Sequence, residues 1–144
     1  MKNRKQRKRE KNEESVGTAQ PSRIIVYCCE RSAFRAVESL LTDVKYNGVE
    51  FVKVECTGRI GVHDILKRLE DGAYSVVVAG CPPGSCQHSD GSSRAERNVA
   101  IAVKELSDAM LDGYRVRMCF VSSVDTKKMV DIIEEEMKHD SGRA

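Results

Sequence analysis

Cys81-Pro82-Pro83-Gly84-Ser85-Cys86 sets two thiols on one short segment with four residues between them. Two prolines and a glycine restrict the conformations of that segment, which suits a site needing preset sulfur positions. It follows Tyr74-Ser75-Val76-Val77-Val78-Ala79-Gly80, an apolar run that reads as a buried strand. The thiols therefore leave the carboxyl end of a core strand, the edge at which open α/β sheets bind ligands. Four further cysteines (Cys28, Cys29, Cys56 and Cys119) raise the same question of what the sulfurs hold or do.

Thiols gathered at one sheet edge can bind an iron–sulfur centre through four thiolates. They can also bind zinc in a tetrahedral shell, with His88 as a further donor. A third chemistry is a redox pair of Cys81 and Cys86, or a nucleophilic Cys29, which requires a thiol of lowered pKa. Paired C-x2-C knuckles are absent, so the zinc-ribbon pattern does not apply. Cys29 and Arg35 have the spacing of a phosphate-binding C-x5-R loop, but that loop lacks glycine and carries Glu30, which repels phosphate. Cys56-Thr57-Gly58-Arg59 joins a thiol, a tight turn and a cation able to offset an anionic centre.

The elements that must position these residues alternate strand and helix beyond Pro21. Arg23–Cys28 reads as a first strand. A helix follows with Ser32 as N-cap and Phe34, Val37, Leu41 and Val44 on one face. Val49–Cys56 is a second strand. The second helix carries Val62, Ile65, Leu66 and Leu69 inward, leaves His63 to solvent, and stops at Asp71-Gly72. After the third strand, Ser93-Arg94-Ala95-Glu96 has the form of a capping box. It opens a helix with Val99, Val103, Leu106 and Met110 on its stripe, ending at Asp112-Gly113. Arg115–Val121 is a fourth strand, with Cys119 a buried apolar residue inside it. A helix from about Asp125 to Lys138 turns Met129, Ile132, Ile133 and Met137 inward, and residues 139–144 fray.

Strands separated by single helices predict a parallel sheet with right-handed crossovers. The expected fold is a small three-layer α/β domain with a four-stranded parallel sheet. Its expected strand order is 2-1-3-4, flavodoxin-like or Rossmann-like, with a crevice between strands one and three. That topology brings Cys28, Cys29, Cys56, Cys81 and Cys86 to one edge.

Composition sets the class. The chain has 144 residues, enough for one domain that needs no disulfide to fold. No apolar run approaches the ~18 residues of a membrane helix, and the polar N-terminus does not read as a secretory signal. A cytoplasmic protein is expected, where cysteines serve catalysis or metals more than disulfides. Aromatic residues make up 5% and tryptophan is absent, which speaks against a base-stacking surface for nucleic acid. Residues 1–22 hold seven Lys/Arg against three Glu, a net +4, whereas the whole chain is +2, so residues 23–144 carry −2. The N-terminal segment reads as a disordered basic tail, 1–22, before a folded domain, 23–138.

With the cysteines placed, the chain resembles the iron–sulfur delta subunits of methyl-viologen-reducing hydrogenases, which work around heterodisulfide reductase in anaerobes. The resemblance covers about residues 23–138. It rests on the strand ending at Cys28, on Cys56-Thr57-Gly58-Arg59, and on Gly80-Cys81-Pro82-Pro83-Gly84-Ser85-Cys86-Gln87-His88. Gly91 and Ala95-Glu96-Arg97 fit the same pattern.

The resemblance implies a 2Fe–2S cluster, with Cys28, Cys56, Cys81 and Cys86 as ligands by motif position. It implies a non-catalytic subunit that passes electrons between a hydrogenase or formate dehydrogenase and the flavin-containing subunit of heterodisulfide reductase. A thiol redox enzyme or a cluster-free adaptor are the alternatives. The family usually has C-x2-C after the first strand. Here Arg31 stands at the second cysteine position and Cys29 adjoins Cys28. Neighbouring strand residues point to opposite faces, so Cys28 and Cys29 do not both bind one iron. Pro82 and Gln87 stand where the family often has histidines, and the basic tail lies outside the resemblance.

Overall fold

The computed structural model describes residues 14–16, 24–86, 90–111 and 113–143. Four strands, β2 (Ile24–Cys29), β3 (Val49–Val54), β4 (Ser75–Gly80) and β5 (Val116–Phe120), form a parallel set. Their spatial order β3-β2-β4-β5 is the expected 2-1-3-4 arrangement. Both central strands, β2 and β4, are buried along their whole length, as a parallel sheet covered on two faces requires.

A fifth strand, β1 (Glu14–Val16), adds antiparallel to the outer side of β3, pairing Glu14 with Lys53 and Val16 with Phe51. These three residues fall in the segment expected to be a disordered tail. The free ladder of β3, otherwise an open sheet edge, is what they satisfy. The rest of residues 1–22 lies outside the described residues.

Two core layers flank the sheet. On one face, Ile24, Val26, Cys28, Val77, Ala79, Cys119 and Val121 pack against Ala33, Ala36 and Val37 of α1 (Ala33–Val37) and Met129 and Ile133 of α4 (Thr126–Arg143). On the other, Ile25, Tyr27, Val52, Val76 and Val78 pack against Ile65 of α2 (Val62–Glu70) and Ala95, Val99, Ala102 and Leu106 of α3 (Gly91–Asp108). Among the described residues, no helix is long and apolar enough to cross a membrane.

Several boundaries differ from the sequence reading for local reasons. The first helix is short and passes through a 3-10 turn, Glu38–Leu40, into a second, Val44–Tyr46. The Asp43 carboxylate accepts from the Lys45 N–H at 2.9 Å. This side-chain bond restarts the chain in a new turn, buries Tyr46, and leaves Val44 78% exposed rather than on the inner stripe. Ser32 precedes α1 but makes no capping bond.

The third crossover helix begins at Gly91, two residues before Ser93, and the expected capping box gives way to a backbone contact. A Cβ on Gly58 would lie 2.8 Å from the Gly91 Cα, so the turn Thr57–Arg59 and the first turn of α3 touch main chain to main chain. That helix ends at Asp108, not Asp112-Gly113. Leu111 N–H bonds Leu106 C=O at 2.7 Å and Met110 N–H bonds Ser107 C=O at 3.0 Å, a Schellman cap. Met110 holds the left-handed position at φ 61 and is 94% exposed, so it leaves the inward stripe. The last helix continues through His139 and Asp140 to Arg143 instead of fraying after Lys138.

Met110→Gly removes a strained left-handed side chain that packs on nothing, and should stabilise the fold by about 0.5–1 kcal/mol after glycine's entropy cost. A higher urea midpoint with an unchanged slope is the expected readout. Gly58→Ala pushes a methyl into the Gly91 backbone and should cost about 1–3 kcal/mol in the same assay.

Candidate metal centre

All four parallel strands end at the same edge, and the segments that leave them enclose a pocket of about 280 Å³. Cys29, Arg31 and Ser32 line it from the β2–α1 connection, and Glu55 and Cys56 from the segment after β3. Cys81, Pro82, Ser85 and Cys86 line it after β4, and Ser122 and Ser123 after β5. The pocket straddles the gap between β2 and β4, the position where their crossovers depart in opposite directions and an open sheet leaves a crevice.

Strand alternation decides between the adjacent cysteines. Cys28 shares the face of Ile24 and Val26, is 0% exposed, and does not line the pocket. Its thiol donates to the Val26 carbonyl at 3.6 Å. Burial pushes this thiol well above the ordinary range, with Cys119 and Cys29 adding to the rise. Of the two adjacent cysteines, the one that lines the pocket is Cys29, the next residue on the opposite side of the pleat, and not Cys28. Cys28, Ala79 and Cys119 lie in register across three strands. Two strand spacings separate the outer pair by about 9–10 Å, beyond disulfide reach. Cys119 is buried in β5, as expected, and its thiol is pushed up to about 11, chiefly by burial.

Cys56 ends the extended segment after β3 and opens the 3-10 turn, where its sulfur accepts from the Gly58 N–H at 3.4 Å. Burial raises this thiol, the Gly58 N–H lowers it, and Cys86 and Cys29 raise it again.

The double proline resolves into a β-turn. Ser85 N–H bonds Pro82 C=O at 3.0 Å, with Pro83 at the second position and Gly84 at φ 83 in the third, the type II pattern. The turn folds Cys86 back against Cys81. The Cys86 side chain lies close enough to Cys81 and Cys56 to raise both of their thiols. Burial first, then Cys86 and Cys29, push the Cys81 thiol up to about 12. All six cysteines are thiols rather than disulfides.

Of the residues singled out by sequence, Cys56, Cys81 and Cys86 meet at the pocket with Cys29. Arg59 does not line it but pairs with Glu55, which does, at 3.3 Å, both side chains exposed, an ion pair worth little. Arg35 is exposed and does not line the pocket, which removes the phosphate-loop geometry. His63 faces solvent on α2, as expected. Gln87 and His88 lie outside the described residues.

Sequence reasoning does not place Ser32, Ser122 and Ser123 at the site. The first reads as a helix cap, and the other two carry no local signal.

Four thiols from three different loops line the pocket beside Glu55 and four serines. Among the described residues, no group of three or more His, Cys, Asp or Glu side chains is arranged to hold a single metal ion. The four thiols instead line a wider cavity, open at its mouth and backed by Ser32 and Cys81. Four thiolates around a space larger than one ion are the donor chemistry of an iron–sulfur group.

Comparison with known proteins bears on the same residues. The sequence matches the family described as methyl-viologen-reducing hydrogenase, delta subunit, over residues 24–139. It is 34% identical over 119 residues to the iron-sulfur subunit of the F420-non-reducing hydrogenase vhu of Methanopyrus kandleri, covering 81% of this chain and 90% of that one. The corresponding protein of Methanocaldococcus jannaschii is 30% identical over 114 residues, covering 78% of this chain and 85% of its own. A third similarity is to a larger protein of Methanosarcina acetivorans, one of the subunits of its ferredoxin/F420H2-dependent CoB-CoM heterodisulfide reductase. It is 22% identical over 117 residues, 80% of this chain but 15% of that protein. The matched region takes in the whole parallel sheet and all four pocket cysteines, and by it the chain belongs to the methyl-viologen-reducing hydrogenase delta-subunit family.

Proposed function

We propose that this chain is an electron-transfer subunit that holds one 2Fe–2S cluster on Cys29, Cys56, Cys81 and Cys86. The observation that carries the proposal is the convergence of these four thiols, from three loops, on one pocket from which Cys28 is excluded. When bound, such a cluster supplies one-electron transfer without bond making. The chain's own residues do the rest. The type II turn fixes the spacing of Cys81 and Cys86, and the Gly58 N–H steadies a thiolate at Cys56. Burial of Cys29 and Cys81 keeps water from the inner wall. Their thiols must shed protons as metal binds, so loading is favoured by rising pH.

Half-buried Cys86 and exposed Arg31 stand at the pocket mouth, the side open to an electron-transfer partner. The partners we propose are a hydrogenase or a formate dehydrogenase on one side. On the other is the flavin-containing subunit of a heterodisulfide reductase. The relatives' names support this reading, since they describe iron-sulfur subunits of hydrogenases. A region similar to this chain also forms part of a larger heterodisulfide reductase protein, which supports the second partner. A reducing cytoplasmic setting fits six cysteines outside disulfides.

A dithiol enzyme built on Cys81 and Cys86 is the second reading, favoured by their direct contact across the turn. The electrostatics oppose it. Burial and the neighbouring thiols push Cys81 to about 12, where an attacking thiol needs a lowered pKa.

Iron and acid-labile sulfide in anaerobically purified protein, with an electron paramagnetic resonance spectrum after reduction, test the assignment. Cys29→Ser, Cys56→Ser, Cys81→Ser and Cys86→Ser should each lose most of the iron. Cys28→Ala should keep it and cost only about 1 kcal/mol of stability. Retention in Cys29→Ser with loss in Cys28→Ala would sink the ligand set. In metal-free protein, alkylation of Cys81 should stay slow at neutral pH and accelerate only toward its raised pKa. A Cys81 thiolate titrating below about pH 7.5 would instead support the dithiol enzyme.

A further inference from the structure

Ser32 sits in the wall of the thiol pocket, 5% exposed, and its hydroxyl has no hydrogen-bond partner. It precedes α1, yet with φ −130 and ψ −85 it makes no side-chain cap. Its main chain is fully used: the N–H donates to Cys29 C=O at 3.2 Å, and its own C=O accepts from Ala36 N–H at 3.1 Å. Only the hydroxyl is left over. A buried hydroxyl without a partner destabilises a fold, and alanine at this position would avoid that cost.

The other buried orphan hydroxyl, Ser75, begins β4 at the opposite end of that strand and does not line the pocket. Ser122 and Ser123 line it but are less buried and open to water. Ser32 is therefore the pocket's one buried, unengaged hydroxyl among the described residues. On the Cys56 side a backbone donor, Gly58 N–H, already faces sulfur. Ser32 sets a donor on the Cys29 side.

We propose that the Ser32 hydroxyl donates a hydrogen bond to a sulfur of the iron–sulfur group held in this pocket and raises that group's reduction potential. The inference rests on the cluster assignment above. Reduction adds one electron and one negative charge to the group, no bond breaks, and the hydroxyl proton stays on Ser32. A donor aimed at sulfur stabilises the more negative, reduced state.

Two measurements on the full-length chain test this. In metal-free protein, urea unfolding should find Ser32→Ala as stable as wild type or more so. A clear loss of stability would mean the hydroxyl already has a structural partner, and would overturn the proposal. In protein reconstituted with iron and sulfide, Ser32→Ala should keep its iron but titrate at a lower potential by electron paramagnetic resonance. Ser32→Thr, which retains the hydroxyl, should restore the wild-type value. An unchanged potential in Ser32→Ala overturns the donor role while leaving the cluster assignment standing. Loss of iron from folded Ser32→Ala would make Ser32 a ligand and also overturns it. Wild type that takes up neither iron nor sulfide overturns the cluster assignment itself, and the Ser32 role with it.

Discussion

The parallel pairing of β2 with β4 is the constraint on which the site depends. Ile24 through Cys28 run in register with Ser75 through Ala79, and both strands are covered on two faces. Crossovers leave this pair toward opposite sides, so their carboxyl ends part around a crevice. Cys29 departs from one strand and Cys81 from the other. The neighbouring β3 delivers Cys56 to the same edge, and the type II turn brings Cys86 back. The two core layers hold the strands in this register, so a slip by one residue would move Cys29 into the core and Cys28 to the pocket.

Close backbone contact refines what the sheet begins. The turn that carries Cys56 touches the start of α3 through Gly58 and Gly91. A Cβ on Gly80, just before Cys81, would fall 2.9 Å from the Thr57 hydroxyl. The segments bearing Cys56 and Cys81 thus lean on each other where Gly80, which has no side chain, meets Thr57. The same closeness governs the electrostatics. Desolvation is the first cause of every raised thiol in the group, and neighbouring sulfurs add to it. Thiols raised in this way are protonated at neutral pH, which makes them poor nucleophiles.

Much of this was legible in the residue pattern. Apolar runs at Ile24–Cys29 and Ser75–Gly80, separated by helical stripes, are enough for an α/β sheet and its order. Cys81 and Cys86 were legible because proline and glycine encode their turn locally. The departures came where tertiary contacts outweighed local signals. Ser93 and Glu96 have the form of a capping box, but the Gly58–Gly91 contact starts the helix earlier. Met110 continues the apolar stripe of α3, but the Schellman cap turns it to solvent. Val44 keeps helical spacing, but the helix stops at Val37 and Asp43 caps a new turn that begins at Val44.

By itself the sequence determined the fold class, the parallel strand order, the family, and the sheet edge to which the cysteine loops run. The fold class, strand order and sheet edge follow from periodicity, a property of neighbouring residues, and the family from the resemblance that the cysteine motifs carry. Only the tertiary structure decided which of Cys28 and Cys29 meets the other thiols, and that Ser32 lines the pocket with its hydroxyl buried and unengaged. Both faces of β2 are buried, so alternation of polar and apolar residues carries no mark of which side is core and which is site. That choice is made by the helices packed on each face and by the loops that close over the strand ends.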